Sequence, residues 1–149
     1  MNIGAGLNKQ KVKEFFTAYK KGNLVAYLKS QEVPEAQDSS LIMQIVANNF
    51  EFMVLDSEYD AVVIFDGNQC DYCKVLYKLY ETVAHRLQTN RMIRFFIVNT
   101  SENEIPGIEE VGQRPEVLYY AARDKQQPLK FSTIRRESVV ISEIQRVTS

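Results

Sequence analysis

Cysteine and histidine are scarce in this chain: two of the first and one of the second in 149 residues. Two cysteines cannot build the multi-bridge framework of a small secreted scaffold. With His85 as the only histidine, they also fall short of the ligand set of a tetrahedral structural zinc site. An excess of one charge is missing too. The formal net charge is −1, and lysines and arginines are interleaved with acids in stretches such as Lys13-Glu14 and Arg123-Asp124-Lys125. These read as solvated faces, and no basic surface for nucleic acid is indicated. No apolar run approaches the roughly 20 residues that span a bilayer. The opening Met1-Asn2-Ile3-Gly4-Ala5-Gly6 lacks the charged and apolar regions of a signal peptide, and Arg146-Val147-Thr148-Ser149 is no retention tetrapeptide. The expectation is a cytosolic protein or an excised piece of a longer one.

What is present is an ordinary globular composition, 45% apolar and 25% charged, enough for one real core. Val12, Phe15, Phe16 and Tyr19 recur at helical spacing over residues 8–22, with Asn8 as N-cap and Gly22-Asn23 as stop. Such a helix cannot bury its stripe alone. The stretch to residue 40 is polar and irregular, with Pro34 and Asp38-Ser39-Ser40, and reads as a linker. From residue 41 apolar segments alternate in type. Residues 41–46 and the β-branched run 61–65 read as strands, the second as a buried parallel one. Between them Asn48-Asn49 caps a short helix with Phe50, Met53, Val54 and Leu55. Residues 70–87 read as a long helix with one apolar stripe: Val75, Leu76, Leu79, Tyr80, Val83, Ala84 and Leu87. Residues 93–98 form the next strand, and 99–110 a polar loop with a short helix broken by Pro106-Gly107. Residues 116–120 form a strand, 124–127 a turn, 128–132 a last strand, and 135–147 a closing helix with Val139, Val140, Ile144 and Val147 inward. The order β-α-β-α-β-α-β-β-α predicts an α/β fold, a central mixed sheet sandwiched by helices, with central strands parallel and the last pair antiparallel.

The two cysteines, Cys70 and Cys73, are three apart and fall where the second strand turns into the long helix. A C-x-x-C pair in that setting is economically read as a redox pair. The first N–H groups of a helix lack internal partners, and the dipole adds partial positive charge there. Both favour a thiolate at Cys70, which becomes the nucleophile of disulfide exchange. Cys73 lies one turn deeper on the same face and is expected to be less exposed, the resolving residue. The alternatives are two buried structural cysteines, or a metal site shared across a dimer. His85, far along the same helix, reads as a surface residue. Of Tyr72, Tyr77, Tyr80, Tyr119 and Tyr120, only Tyr72 is given a role at the site, and the rest as core and rim.

The segment D-A-V-V-I-F-x4-C-x-x-C-K, followed by N-E-I-P-G and V-G-Q-R-P-E-V-L-Y-Y, resembles the last catalytic domain of protein disulfide isomerases. The resemblance covers residues 41–149. Upstream, F-F-T-A-Y-K-K-G-N-L-V-A-Y-L-K-S-Q-E-V-P-E is similar to the end of a preceding non-catalytic domain plus linker. This divides the chain into 1–24, a helix remnant; 25–40, a linker; and 41–149, the thioredoxin-like domain. The resemblance implies a thioredoxin fold, activity on protein disulfides and the lumen of the endoplasmic reticulum. It implies disulfide-containing or unfolded protein clients and an upstream oxidase or glutathione as redox partner. No cofactor, metal, nucleic acid or membrane span is implied, and a monomer is expected. Pro115, preceded by Arg114, is implied to be a cis-proline in the loop that meets substrate; an ordinary trans strand-entry proline is the alternative. Arg135 matches the arginine that helps the second cysteine deprotonate; a surface residue is the alternative.

The chain departs from the family pattern W-C-G-H-C at Gln69-Cys70-Asp71-Tyr72-Cys73. Tyr72 cannot carry the positive charge of the family's histidine, and Asp71 adds a negative one. Both should leave the Cys70 thiol less acidic and the disulfide less oxidising. The family's buried glutamate, which takes the second cysteine's proton, is Ile64 here, so proton transfer at Cys73 should be slower. Asp66 and Gln69 replace aromatics and make the rim more polar. The expectation is a thiol–disulfide oxidoreductase and isomerase with weakened oxidase activity. Two alternatives are a redox-weak thioredoxin-fold module that holds clients in the manner of a chaperone, and the thioredoxin-like subunit of an oligosaccharyltransferase.

Overall fold

Two hydrophobic layers flank a single sheet, and the sequence of β2 shows why. The computed structural model describes residues 28–35, 37, 40–131, 133 and 136–148. The helix expected over residues 8–22 and Arg135 lie outside them, as does part of the linker. The described residues 28–35 form neither helix nor strand.

The elements run β1 (Ile42–Gln44), α1 (Ala47–Phe50) continued by a π-helical turn (Glu51–Leu55), β2 (Asp60–Asp66), α2 (Asp71–Arg86), β3 (Ile93–Asn99), β4 (Glu116–Ala121), β5 (Asp124–Phe131) and α3 (Glu137–Thr148). The sheet order is β1-β3-β2-β4-β5. β1, β3 and β2 are parallel, while β4 runs antiparallel to β2 and β5 antiparallel to β4. Residues 61–65 of β2 are all fully buried because both faces of this central strand are covered. Val62 and Ile64 point to one layer, with Leu76, Tyr80 and Val83 of α2 and Val140 and Ile144 of α3. Ala61, Val63 and Phe65 point to the other, with Phe50 and Val54 of the first helical segment and Ile105 and Val111 of the β3–β4 loop. Asn49 caps α1 from within, its Oδ1 accepting the Val46 N–H at 2.8 Å.

Four expectations are corrected. No helix forms between β3 and β4; residues 100–115 are turns and extended chain, and Gly107 takes φ 81°. Pro106 and this left-handed glycine punctuate the segment too closely for a helix to nucleate. The hairpin turn is at Ala122-Arg123, since Ala121 already pairs with Asp124. The polar stretch 124–127 is therefore edge strand, where charged side chains guard an open edge. Val75 is 68% exposed: the buried face of α2 is centred on Leu76, Tyr80 and Val83, and Val75 lies off it. Val139 is likewise exposed, one residue ahead of the buried Val140 and Ile144 of α3.

Candidate active site

β2 and its parallel neighbour β3 end together, with Asp66 opposite Asn99. At this carboxyl edge, where open α/β sheets hold their ligands, the chain turns through Gly67, Asn68 and Gln69 into Cys70. Cys70 is the N-cap of α2, one position before the first helical turn. The turn is held from two sides. The Thr100 N–H and hydroxyl both donate to the Asp66 carbonyl at 2.8 Å. Asn68 donates its N–H to Ser101 Oγ at 3.0 Å and its Nδ2 to Glu102 Oε1 at 3.0 Å, and its Oδ1 accepts from Asn99 Nδ2 at 2.7 Å. The loop behind presses close: a Cβ on Gly67 would lie 2.5 Å from the Val111 carbonyl oxygen. Only glycine lets the backbones approach so near.

That loop is fastened in turn by Asn103, 1% exposed. Its Oδ1 accepts the N–H groups of Gln31 and Ala47, each at 3.0 Å, and its Nδ2 donates to Gln31 Oε1 at 2.8 Å and the Asn99 carbonyl at 2.9 Å. Every polar valence that matters for burial is met.

Cys70 and Cys73 are joined as a disulfide, with Cα atoms 5.4 Å apart. Both are buried, 6% and 3% exposed, so the expected contrast in exposure is small. The N-cap position tucks Cys70 against the turn instead of projecting it. A cleft of about 470 Å³ opens beside the pair, lined by Asp66, Cys70, Cys73, Lys74, Tyr77 and Lys78 among others. Among the described residues Asp66, Cys70 and Cys73 are the one set of potential metal ligands that gathers, their donor atoms within 4.8 Å of one another. Three donors are fewer than a closed structural zinc site uses, and a disulfide offers no thiolate to a metal.

Gln69 and Asp71 are exposed beside the pair, and Tyr72 is 69% exposed. Arg114 is exposed and Pro115 half-buried at the same end of the sheet, since Glu116, the next residue, pairs with Phe65 of β2. The cis-proline expectation is corrected: the Arg114–Pro115 bond is trans, as no cis peptide bond occurs among the described residues. Trans is the lower-energy form of X–Pro by about 0.5–1 kcal/mol, and the strand entry accommodates it. His85 is exposed in the last turn of α2, away from the pair. Tyr80, Tyr119 and Tyr120 are core. Burial and the charge of Glu116 push the Tyr120 phenol up to about 12. Burial, and then Asp60, push Tyr119 upward as well. The sequence marked Asp66 only as a polar residue of the rim. It follows Ile64 by two residues on β2, so both side chains share a face, and a carboxylate oxygen lies within 4.8 Å of both sulfurs.

The thioredoxin family pattern matches residues 41–146. The chain is 31% identical over 135 residues to protein disulfide-isomerase A3 of Gallus gallus, covering 91% of this chain and 26% of that protein. It is 28% identical over 121 residues to protein disulfide-isomerase A4 of Homo sapiens, covering 80% of this chain and 19% of the relative. The chain thus spans about a quarter of the length of these curated relatives. Among solved structures it superimposes on the Trx4 domain of ERdj5 with TM-score 0.59 at 17% identity, over 74% of this chain and 97% of the other. The first thioredoxin domain of mouse protein disulfide-isomerase A4 gives TM-score 0.56 at 15% identity, over 80% and 88%. With the β-strand, turn and C-x-x-C helix in place, and the family pattern spanning most of the sequence, the chain belongs to the thioredoxin family.

Proposed function

We propose that this protein is a thiol–disulfide oxidoreductase acting on protein disulfides, and that its oxidase activity is weak. The observation that carries the reading is the Cys70–Cys73 disulfide at the N-terminus of α2. In the reduced protein the Cys70 thiolate attacks one sulfur of a client disulfide. That S–S bond breaks, one client thiolate leaves, and a mixed disulfide joins Cys70 to the client. Cys73, deprotonated, then attacks the Cys70 sulfur. The second client thiolate leaves, and the pair is left oxidised. The reverse sequence oxidises a client dithiol, and partial cycles isomerise disulfides.

The weakness follows from the neighbours. Orphan N–H groups and the helix dipole favour a thiolate at Cys70, but Asp71 in the first turn opposes it and Tyr72 adds no positive charge. Ile64 is fully buried where a proton acceptor would sit in the family. Arg114 and Pro115, at the same end of the sheet, are assigned to the client strand, and Arg135 to deprotonating Cys73. The relatives' names support protein disulfides as substrates; glutathione or an upstream oxidase restoring the pair, and the lumen of the endoplasmic reticulum as the setting, belong to the proposal. No helix among the described residues is long and apolar enough to cross a membrane. Residues 41–149 are assigned to the redox domain, 25–40 to a linker and 1–24 to the end of a preceding domain.

A specific feature favours a second reading, client holding. Tyr72 and Val75, one turn apart on α2, are 69% and 68% exposed beside the disulfide. Insulin reduction and refolding of a scrambled disulfide substrate separate the two. Turnover that disappears in Cys70→Ala supports the oxidoreductase. Absence of turnover, with suppressed client aggregation, supports the holding module.

A further inference from the structure

The missing glutamate leaves an unanswered chemical need: Cys73 must lose its proton before it can attack, and Ile64 cannot take it. Along a strand alternate residues share a face, and two residues advance the chain by about 6.6 Å. Two residues beyond Ile64 on that face stands Asp66, the last residue of β2. It sits half-buried at the cleft mouth, with a carboxylate oxygen within 4.8 Å of both sulfurs. A separation of that size is one that a single water can span, which is within the working reach of a general base.

We infer that Asp66 is the proton acceptor for Cys73 in the resolving step, an acid–base group moved from the buried interior of the strand to its solvent-facing end. The inference rests on the oxidoreductase reading. The proton of the Cys73 thiol passes to the Asp66 carboxylate, directly or through one water. The Cys73 sulfur forms its bond to the Cys70 sulfur as the Cys70–client bond breaks. The departing client thiolate takes up the proton that Asp66 holds. No outside oxidant is needed, since the dithiol is oxidised as the client disulfide is reduced. The other charged groups facing the cleft are Asp71, Lys74, Lys78 and Glu81, all on α2; from β3 the wall is Ile97. Lys74 and Lys78 bring positive charge to the rim of a cleft that must also hold a thiolate. Asp66 is positioned for this, since its Oδ1 accepts the Gly67 N–H at 2.7 Å and leaves the second oxygen uncommitted to that bond.

The substitution Asp66→Asn tests this, because the amide oxygen still accepts from Gly67 while the base is gone. In the full chain, a mixed disulfide with glutathione is formed on Cys70 and its resolution followed as released glutathione across pH. Loss of the base slows resolution about a hundredfold near neutral pH, the lower end of what a positioned general base contributes. The two proteins converge toward alkaline pH, where solvent hydroxide takes the thiol proton without a base. Attack of Cys70 on oxidised glutathione is not slowed, and Asp66→Glu restores resolution. A merely electrostatic Asp66 gives the opposite sign: removing its negative charge eases thiolate formation and speeds resolution. Unchanged or faster resolution in Asp66→Asn, or slowing equal at every pH, overturns the inference. Failure of Cys70 to form any mixed disulfide, in the parent protein as well, overturns the oxidoreductase reading beneath it.

Discussion

Reducing the Cys70–Cys73 bond removes a cross-link three residues long, and the stability it takes away can be worked out from the fold. Closing so short a loop restricts the unfolded chain by about 2 kcal/mol in the chain-entropy account. Against this, reduction frees a thiolate at the N-terminus of α2, where the helix dipole is worth about 0.3–1 kcal/mol to a negative charge. In most of the family a cationic side chain would add to that gain. Here Asp71 in the first turn subtracts from it and Tyr72 contributes no charge. The cross-link therefore wins, and the oxidised protein is the more stable by about 1–2 kcal/mol. By the thermodynamic cycle, folding makes the disulfide harder to reduce by the same amount, and about 1.4 kcal/mol corresponds to 30 mV. Urea unfolding of oxidised and dithiol-reduced protein at one neutral pH measures this. With a slope of about 1–3 kcal/mol per molar for a small domain, the oxidised midpoint lies higher by about 0.3–2 molar. A reduced form equal in stability or more stable would refute the reasoning. It would mean that the thiolate is held far more strongly than Asp71 and Tyr72 allow.

Three further outcomes follow from the packing around the site. Gly67→Ala places a Cβ 2.5 Å from the Val111 carbonyl oxygen; the overpacking costs about 1–3 kcal/mol and slows disulfide exchange by displacing the turn before Cys70, as urea midpoints and insulin turnover will show. Asn103→Ala removes four hydrogen bonds, and at about 1 kcal/mol net for each it lowers stability by about 3 kcal/mol, allowing for water reaching the half-buried partners; a loss within experimental error would deny Asn103 its fastening role. Stability falls as pH rises above about 10, where unfolded tyrosines ionise, because Tyr120 keeps its proton in the folded state until about 12. Since the folded phenol is raised, its contribution is complete below pH 10 and lost as pH climbs through the folded value. Tyr120→Phe flattens that decline in unfolding measured from pH 9 to 12, and an unchanged slope would contradict its burial.

The parts of the fold that were legible in the sequence are those where one physical requirement dominates a segment. Residues 61–65 are uniformly β-branched or apolar because both faces of β2 are covered, and Leu76, Tyr80 and Val83 repeat at helical spacing because one face of α2 is buried. What misled was local pattern without tertiary phase. Val75 matched an apolar stripe by type, yet its direction on the helix falls outside the face that meets the sheet. Asp124-Lys125-Gln126-Gln127 looked like a turn because it is polar, but an edge strand needs polar residues too. Lys125 shows the cost of that position: its Nζ reaches the Tyr59 carbonyl at 2.6 Å, and burial lowers its pKa while the nearby Asp60 opposes the shift. Residues 100–115 contain no repeating pattern at all; their order comes from hydrogen bonds to β2, to the Asn68 turn and to residues 29–31, which sequence spacing does not encode. At the site the cysteines were readable from their motif. The carboxylate was not, because its importance depends on β2 ending at Asp66 rather than two residues earlier.

The central claim is that Cys70 and Cys73 form a working but weakly oxidising redox pair. Equilibrating the protein in graded glutathione buffers, then trapping free thiols with an alkylating reagent, measures it directly. The account predicts one two-electron transition in which both cysteines change together, at a potential more negative than the about −180 mV typical of protein disulfide isomerase. A transition at a more positive potential, or cysteines that stay oxidised or titrate independently across the series, would contradict it.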